Sequence, residues 1–269
     1  MTILDKIVET KREELTAAKK LFPKSMLMNS PLFHVPKHSV TEAIRSGKTS
    51  GVITEFKRRS PSKGWINEQV NPVEVAKGYA SSGAAAISVL TDTQYFGGSL
   101  SDLKQVRQAV GVPLLRKDFT MDAYQLYEAK ANGADIILLI AAILSPGQVK
   151  ELAAEAHSIG LEVLLEIHDE PELLHVCPEA DLVGINNRNL KNFEVNIERS
   201  IRLQSMLPRE TIRVAESGIH SVEIACKLLN GGFDALLMGE YFMKQTDPAI
   251  AFASFFNQLK ERLSNYDRP

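Results

Sequence analysis

DIILLIAAILSPGQVKELAAEAHSIGLEVLLEI (residues 135–167) decides how the rest of the chain is to be read. It opens on a short run of Ile and Leu (DIILLI, 135–140) and closes on another (LEVLLEI, 161–167), neither with strict polar alternation. Such runs suit strands covered on both faces, as in a parallel sheet. Between them, Ser145-Pro146 supplies a capping residue and a proline for the first helical position, and the stretch that follows runs to Gly160. The segment therefore predicts a strand, a helix and a second strand.

Outward from this unit the same alternation recurs. GVITEFK (51–57), AAAISVL (84–90), VPLLRKD (112–118), DLVGINN (181–187), IRVAES (212–217) and DALLMG (234–239) bring the apolar runs to eight. Glu55 and Gly239, in the first and last runs, are 184 residues apart, or about 26 per interval. That is close to the ~30 residues per unit of an eight-unit barrel. Helix signals fill the gaps: Asn71-Pro72 opens one that Gly83 closes, Asp122 precedes another, and Asp247-Pro248 opens the last. In that last segment Phe252, Phe255, Phe256, Leu259 and Leu263 form one stripe. The pattern predicts an α/β fold, a (β/α)8 TIM barrel. An open doubly wound sheet is the alternative; it usually has fewer strands, and no GxGxxG follows the first run.

Residues 1–48 stand outside the repeat. Ile3, Leu4, Ile7, Val8, Lys11 and Leu15 suggest an amphipathic helix, and Ser39-x-x-Glu42 resembles a capping box for a short helix ending at Gly47. These pieces are too short for a core of their own. They are expected to form an N-terminal helical extension packed on the barrel, within a single domain covering 1–269. Pro269 follows the eighth helix closely, so no second enzyme is expected behind it.

Composition narrows the function. With 44% hydrophobic and 24% charged residues and a net charge of −2, the chain has the balance of an ordinary soluble globular protein. No global charge draws it to nucleic acid or an anionic membrane. Cys177 and Cys226 make no disulfide framework and lack metal-ligand spacing, so a reducing cytoplasm is expected. The start lacks the apolar core of a secretory signal, and Ile136 to Leu144, the longest uncharged apolar run, is about half a membrane span. The six histidines form no ligand cluster, and no metal motif is present.

In a barrel enzyme the chemistry sits at the carboxyl ends of the strands. Five of the runs carry polar or charged groups there: Glu55 and Lys57, Lys117, Glu166, Asn186 and Arg188, and Glu216 with Ser217. Turned outward they would be ordinary solvated charges; turned inward they form either a structural ion-pair network or a site. His168, two residues past Glu166, is expected to be structural or merely polar. The loop after the first run adds Arg58, Arg59, Ser60 and Lys63, which reads as a funnel for an anionic substrate. Glycines after the seventh and eighth runs, Gly218 and Gly239, let backbone N–H groups approach a phosphate, with a short helix beginning near Gly239. Glu240 would be awkward beside a phosphate and is expected to point away.

The stretch ITEFKRRSPSKGWI (53–66) resembles the Glu-x-Lys…Ser-Pro-Ser signature of the indole-3-glycerol phosphate synthase family. The resemblance continues in order through SVLTDTQYFGGS (88–99), LLRKDF (114–119), LLEIHD (164–169), GINNRNL (184–190), AESGI (215–219) and LLMG (236–239). It implies a (β/α)8 enzyme of tryptophan biosynthesis that closes, decarboxylates and dehydrates 1-(2-carboxyphenylamino)-1-deoxyribulose 5-phosphate. No metal or organic cofactor is implied, and the partner is a small-molecule phosphosugar rather than nucleic acid or membrane. A monomer or weak homodimer is expected, with association with other tryptophan-pathway enzymes open.

Carried onto the matched residues, the resemblance implies Lys117 as general acid and Glu166 as general base. Lys57 would anchor the substrate carboxylate, and Glu55 would orient the lysines. Asn186 and Glu216 would position the sugar chain, with Ser217 beside them. Phe96, Phe119 and Leu138 would hold the aromatic ring. The phosphate would sit among Ser60, Arg188, the Ser217-Gly218 backbone and Gly239, with Leu190 and Ile219 completing the binding surface. Two other readings compete: another phosphosugar barrel such as phosphoribosylanthranilate isomerase, which usually lacks the Ser-Pro-Ser loop and the extension, and a non-catalytic phosphate-ligand barrel, which would not need Lys117 together with Glu166.

Overall fold

The computed structural model describes residues 2–188 and 194–266, with side chains to residue 264. The eight runs form a closed parallel barrel: β1 (Val52–Phe56), β2 (Ala86–Leu90), β3 (Leu114–Lys117), β4 (Ile136–Ile140), β5 (Glu162–Ile167), β6 (Leu182–Asn186), β7 (Ile212–Glu216) and β8 (Ala235–Met238). Each strand pairs with its sequence neighbours, and β1 closes the ring against β8. The helices start where the cap residues stand. Asn71 accepts the amides of Val73 and Glu74, and Asp122 and Ser145 form reciprocal boxes with Gln125 and Gln148. Asp247 accepts from Ala249 and Ile250.

Two apolar layers hold the barrel. The interior is filled by residues such as Ile53, Leu115, Leu138, Leu164, Val214 and Leu237, while the opposite strand faces pack against the helices. Because both faces are covered, the strands need no polar alternation. The expected helix after every strand fails once: between β5 and β6 the chain makes only a 3-10 turn, Glu170–His175. Pro178 follows closely on that turn, and proline interrupts the amide ladder of a longer helix.

The N-terminal segment touches both ends of the barrel. Its first helix, Ile3–Leu21, begins at a Thr2–Asp5 capping box, and Ile3, Leu4 and Ile7 reach the carboxyl-end mouth. The second part, Val40–Arg45, lies at the amino end, where Val40 joins the interior core. Ser39 caps it by accepting the Glu42 amide. Glu162, at the start of β5, accepts from Ser39 Oγ at 2.6 Å, Val40 N at 2.7 Å and Thr41 Oγ1 at 2.9 Å. A buried carboxylate with three such donors is a strong local clamp. Glu162→Ala should therefore lower the unfolding free energy by ~3 kcal/mol, measured by denaturant titration. A change under ~0.5 kcal/mol would show that Val40 is held by apolar packing alone.

Candidate active site

The mouth is assembled one strand end at a time. β1 brings Glu55, and Lys57 follows it, with Lys57 Nζ 2.6 Å from Glu55 Oε1. β3 ends in Lys117, whose Nζ donates to Glu166 Oε2 at 2.9 Å and lies 3.7 Å from Glu216 Oε2. Asn186, at the end of β6, donates its side-chain amide to Glu166 Oε1 at 3.1 Å, and its Oδ1 accepts the Arg188 amide at 3.0 Å. One charged cluster thus spans β1, β3, β5, β6 and β7. This is the inward alternative among those open from sequence.

Leu138 of β4 forms part of the apolar floor, and Phe96 and Phe119 stand at one side with ring centroids 6.0 Å apart. On the other side the cavity is lined by Ser60, Arg188, Ser217, Gly218, Ile219 and Gly239. Every expected site residue except Leu190 therefore faces a single cavity; Leu190 lies outside the described residues. Ser60 is buried, and its hydroxyl has no hydrogen-bond partner among the described residues. A buried unpaired donor lining a cavity is poised for a ligand acceptor.

Close approach governs the glycine corner. Ser217 has φ +64°, the only positive value outside glycine among the described residues, and Gly218 follows at +69°. Such strain gathers at functional sites. A Cβ on Gly239 would fall 2.6 Å from Glu55 Oε1, so glycine here admits the Glu55 carboxyl. The short helix expected near Gly239 runs from Glu240 to Met243.

Electrostatics sort the cluster into roles. Burial opposes charge on Lys117, but Glu166, Glu216 and Glu55 outweigh it and hold the ammonium above the ordinary lysine pKa. Burial also opposes charge on Glu166, yet Lys117 and His168 keep it below the usual carboxylate range. Glu216 goes the other way: burial, reinforced by Glu166 and Glu55 and only partly offset by Lys117, pushes it up to about 8. The charged Lys117 and ionised Glu166 are thus set beside a Glu216 carboxyl driven toward its protonated form. Carboxyls driven apart in this way divide into base and hydrogen-bond donor.

Two expectations need correction. The basic loop is not a uniform funnel: Arg58 pairs with Asp102 at 2.7 Å, and Arg59 donates to the Gln94 carbonyl at 3.1 Å and lies over the Trp65 ring. Both tie the loop to the β2 turn; the lining comes from Lys57, Ser60, Pro61 and Ser62. Glu240 does not point away, since its carboxylate lies 3.6 Å from Lys63 and 4.0 Å from Arg188. The sequence also missed the first helix as a wall of the cavity. Lys11 on its apolar face is the signal that something other than plain core packing happens there. His168 meets its expectation: it is buried behind Glu166, 3.3 Å from Oε1, outside the cavity lining.

Barrel and mouth together define the class, a (β/α)8 protein with paired lysines and glutamates gathered in one cavity at the carboxyl ends of its strands. The family model "Indole-3-glycerol phosphate synthase" matches residues 4–255. The protein named indole-3-glycerol phosphate synthase from Bacteroides thetaiotaomicron is 44% identical over 258 residues, covering 96% of this chain and 99% of the relative. Its namesake from Albidiferax ferrireducens is also 44% identical, over 94% and 98%. Among solved structures, the tryptophan synthase alpha subunit of Legionella pneumophila superposes with a TM-score of 0.60 at 13% identity, over 84% of this chain and 97% of that one. Thiamine phosphate pyrophosphorylase from Pyrococcus furiosus does so at 0.59 and 18%, over 84% and 99%. These two show the barrel fold alone. The chain belongs to the indole-3-glycerol phosphate synthase family, whose members are carboxy-lyases of tryptophan biosynthesis that act on a small phosphosugar. Among the described residues no helix is long and apolar enough to cross a membrane.

Proposed function

We propose that the mouth converts 1-(2-carboxyphenylamino)-1-deoxyribulose 5-phosphate to indole-3-glycerol phosphate, with Lys117 and Glu166 as its acid–base pair. The observation that carries this is their contact at 2.9 Å inside the cavity that also holds Lys57, the phenylalanine pair and the glycine corner. Ring closure joins the carboxylate-bearing ring carbon to the ketone carbon and leaves negative charge on the ketone oxygen. Lys117, charged at rest, gives that oxygen its proton. Loss of CO2 then returns an electron pair to the ring. Departure of the new hydroxyl as water needs a proton, and removal of a ring-system proton needs a base, which is Glu166.

Lys57 anchors the substrate carboxylate and shares the acid role in dehydration, with Glu55 orienting its ammonium. Asn186 fixes Glu166 by donating to the oxygen that Lys117 does not use. Protonated Glu216 supplies a donor to the sugar hydroxyls, and Leu138, Phe96 and Phe119 hold the ring. Ser60, Arg188, the Ser217-Gly218 backbone and Gly239 receive the phosphate, with Ile219 beside them.

The division of labour is tested by steady-state kinetics on Lys117→Ala and Arg188→Ala together, following indole fluorescence. The first should lose turnover and the second affinity. For Arg188→Ala the expected result is KM raised at least tenfold, the size of a lost charge-assisted hydrogen bond, with kcat nearly kept. An unchanged KM would assign the phosphate to another anchor. The chain would act as a monomer or weak homodimer, and the free Cys177 and Cys226 suit a cytoplasmic setting.

A further inference from the structure

Lys11 stands on the apolar face of the first helix, four residues after Ile7, and is 4% exposed. Its Nζ lies 2.7 Å from Glu14 Oε2, 3.1 Å from Asp92 Oδ2 and 3.0 Å from Asp118 Oδ1. Burying an ammonium is costly unless it is paired, and a leucine would dock a helix with less desolvation. Burial opposes its charge, but Asp118 and Asp92 outweigh that and the group stays protonated.

The two aspartates are occupied on their other sides as well. Asp92 follows β2, and its Oδ1 accepts the amides of Tyr95 at 2.8 Å and Phe96 at 3.3 Å. Asp118 follows Lys117, and its Oδ1 accepts the Phe119 amide at 2.9 Å. Its Oδ2 accepts from Thr91 Oγ1 at 2.6 Å and from Arg116 at 3.1 Å. Each carboxylate thus shapes the turn that presents one ring of the Phe96–Phe119 pair. The same helix sets Ile3, Leu4 and Ile7 into the cavity wall, and Thr10 Oγ1 meets Tyr95 Oη at 3.0 Å. The corner of Ser60, Arg188, Gly218 and Gly239 is built from other strand ends, and among the described residues Lys11 pairs with none of it.

We propose that Lys11 is a positioning residue for the aryl half of the site. Through Asp92 and Asp118 it sets the spacing of Phe96 and Phe119 and holds the Ile3–Ile7 face over the ring they receive. This rests on the reading of that pair as the aryl subsite. A structural clamp would weaken the whole mouth; a positioning residue weakens one half of it.

The test uses the full chain and two fragment probes of its site, anthranilate for the aryl half and inorganic phosphate for the anion half. In Lys11→Met the KM and the anthranilate dissociation constant should rise about tenfold, within the range for a modest displacement of a binding group. The phosphate constant should stay within about twofold and kcat within about threefold. Equal loss of both probes would make Lys11 a clamp of the fold and overturn the proposal, as would no change in either. Phe119→Ala separates the two layers. If it weakens anthranilate while Lys11→Met does not, only the role of Lys11 is lost; if it leaves anthranilate untouched, the aryl subsite is lost and the proposal with it. Should Lys11→Met not fold, Asp92→Asn keeps an acceptor for the Tyr95 and Phe96 amides, removes one charge that Lys11 meets, and must show the same split.

Discussion

Lys117→Ala should lower kcat at least a hundredfold, the scale of a positioned general acid, while KM changes much less. The loss has two parts. The ketone oxygen no longer receives a proton during ring closure, and the base is altered as well. Glu166 stays ionised because Lys117 is 2.9 Å away and offsets its burial. Without that ammonium, only His168 and the Asn186 hydrogen bond are left to oppose the same burial, so the pKa of Glu166 must rise. A base works only when ionised, so the acidic limb of the residual pH–rate profile should move to higher pH. Two measurements check this: turnover at saturating substrate, and the pH profile of kcat. Near-normal turnover removes Lys117 from the acid role. A hundredfold loss with an unmoved acidic limb would mean that Lys117 donates a proton without controlling Glu166.

What was legible in the sequence follows from how barrels are built. Strands buried on both faces appear as continuous apolar runs, and a charge at the end of such a run stands out because the run itself cannot solvate it. Glu55, Lys117, Glu166 and Glu216 were found in this way, and the parallel register then brings them to one rim. The rest depends on contacts between segments far apart in the chain, for which no local pattern exists. Arg58 reads as one more cation until Asp102, on the helix after β2, takes it up. Glu240 reads as a misfit beside phosphate until Lys63 and Arg188 are seen around it. Lys11 lies within a helix that any periodicity analysis finds, but its partners Asp92 and Asp118 are more than 80 residues away. Periodicity reports which face of a helix is buried and is silent about which carboxylates will be waiting there.

Gly184→Ala should leave the barrel folded and reduce kcat/KM about a hundredfold, the scale expected when a catalytic group is displaced by ~1 Å. Gly184 sits inside β6, where glycine weakens a strand and so marks a close approach by something else. The approaching group is Glu216: a Cβ on residue 184 would fall 1.9 Å from its Oε1 and 3.3 Å from Leu164 Cδ1. Leu164 belongs to the filled barrel interior, so the methyl group displaces the carboxyl. Glu216 Oε1 is buried with no hydrogen-bond partner among the described residues, so no bond holds that oxygen back. The carboxyl would move off the β6 wall into the cavity, toward Lys117 and the space the sugar chain needs. This explanation makes the effect depend on Glu216 itself. In a Glu216→Ala background, where the carboxyl is gone, adding Gly184→Ala should cost less than about threefold, whereas independent sites would add in full. Kinetics on the four members of that cycle, with circular dichroism to confirm folding, decide the matter. A full hundredfold loss in both backgrounds would place the effect in the strand rather than in the Glu216 carboxyl.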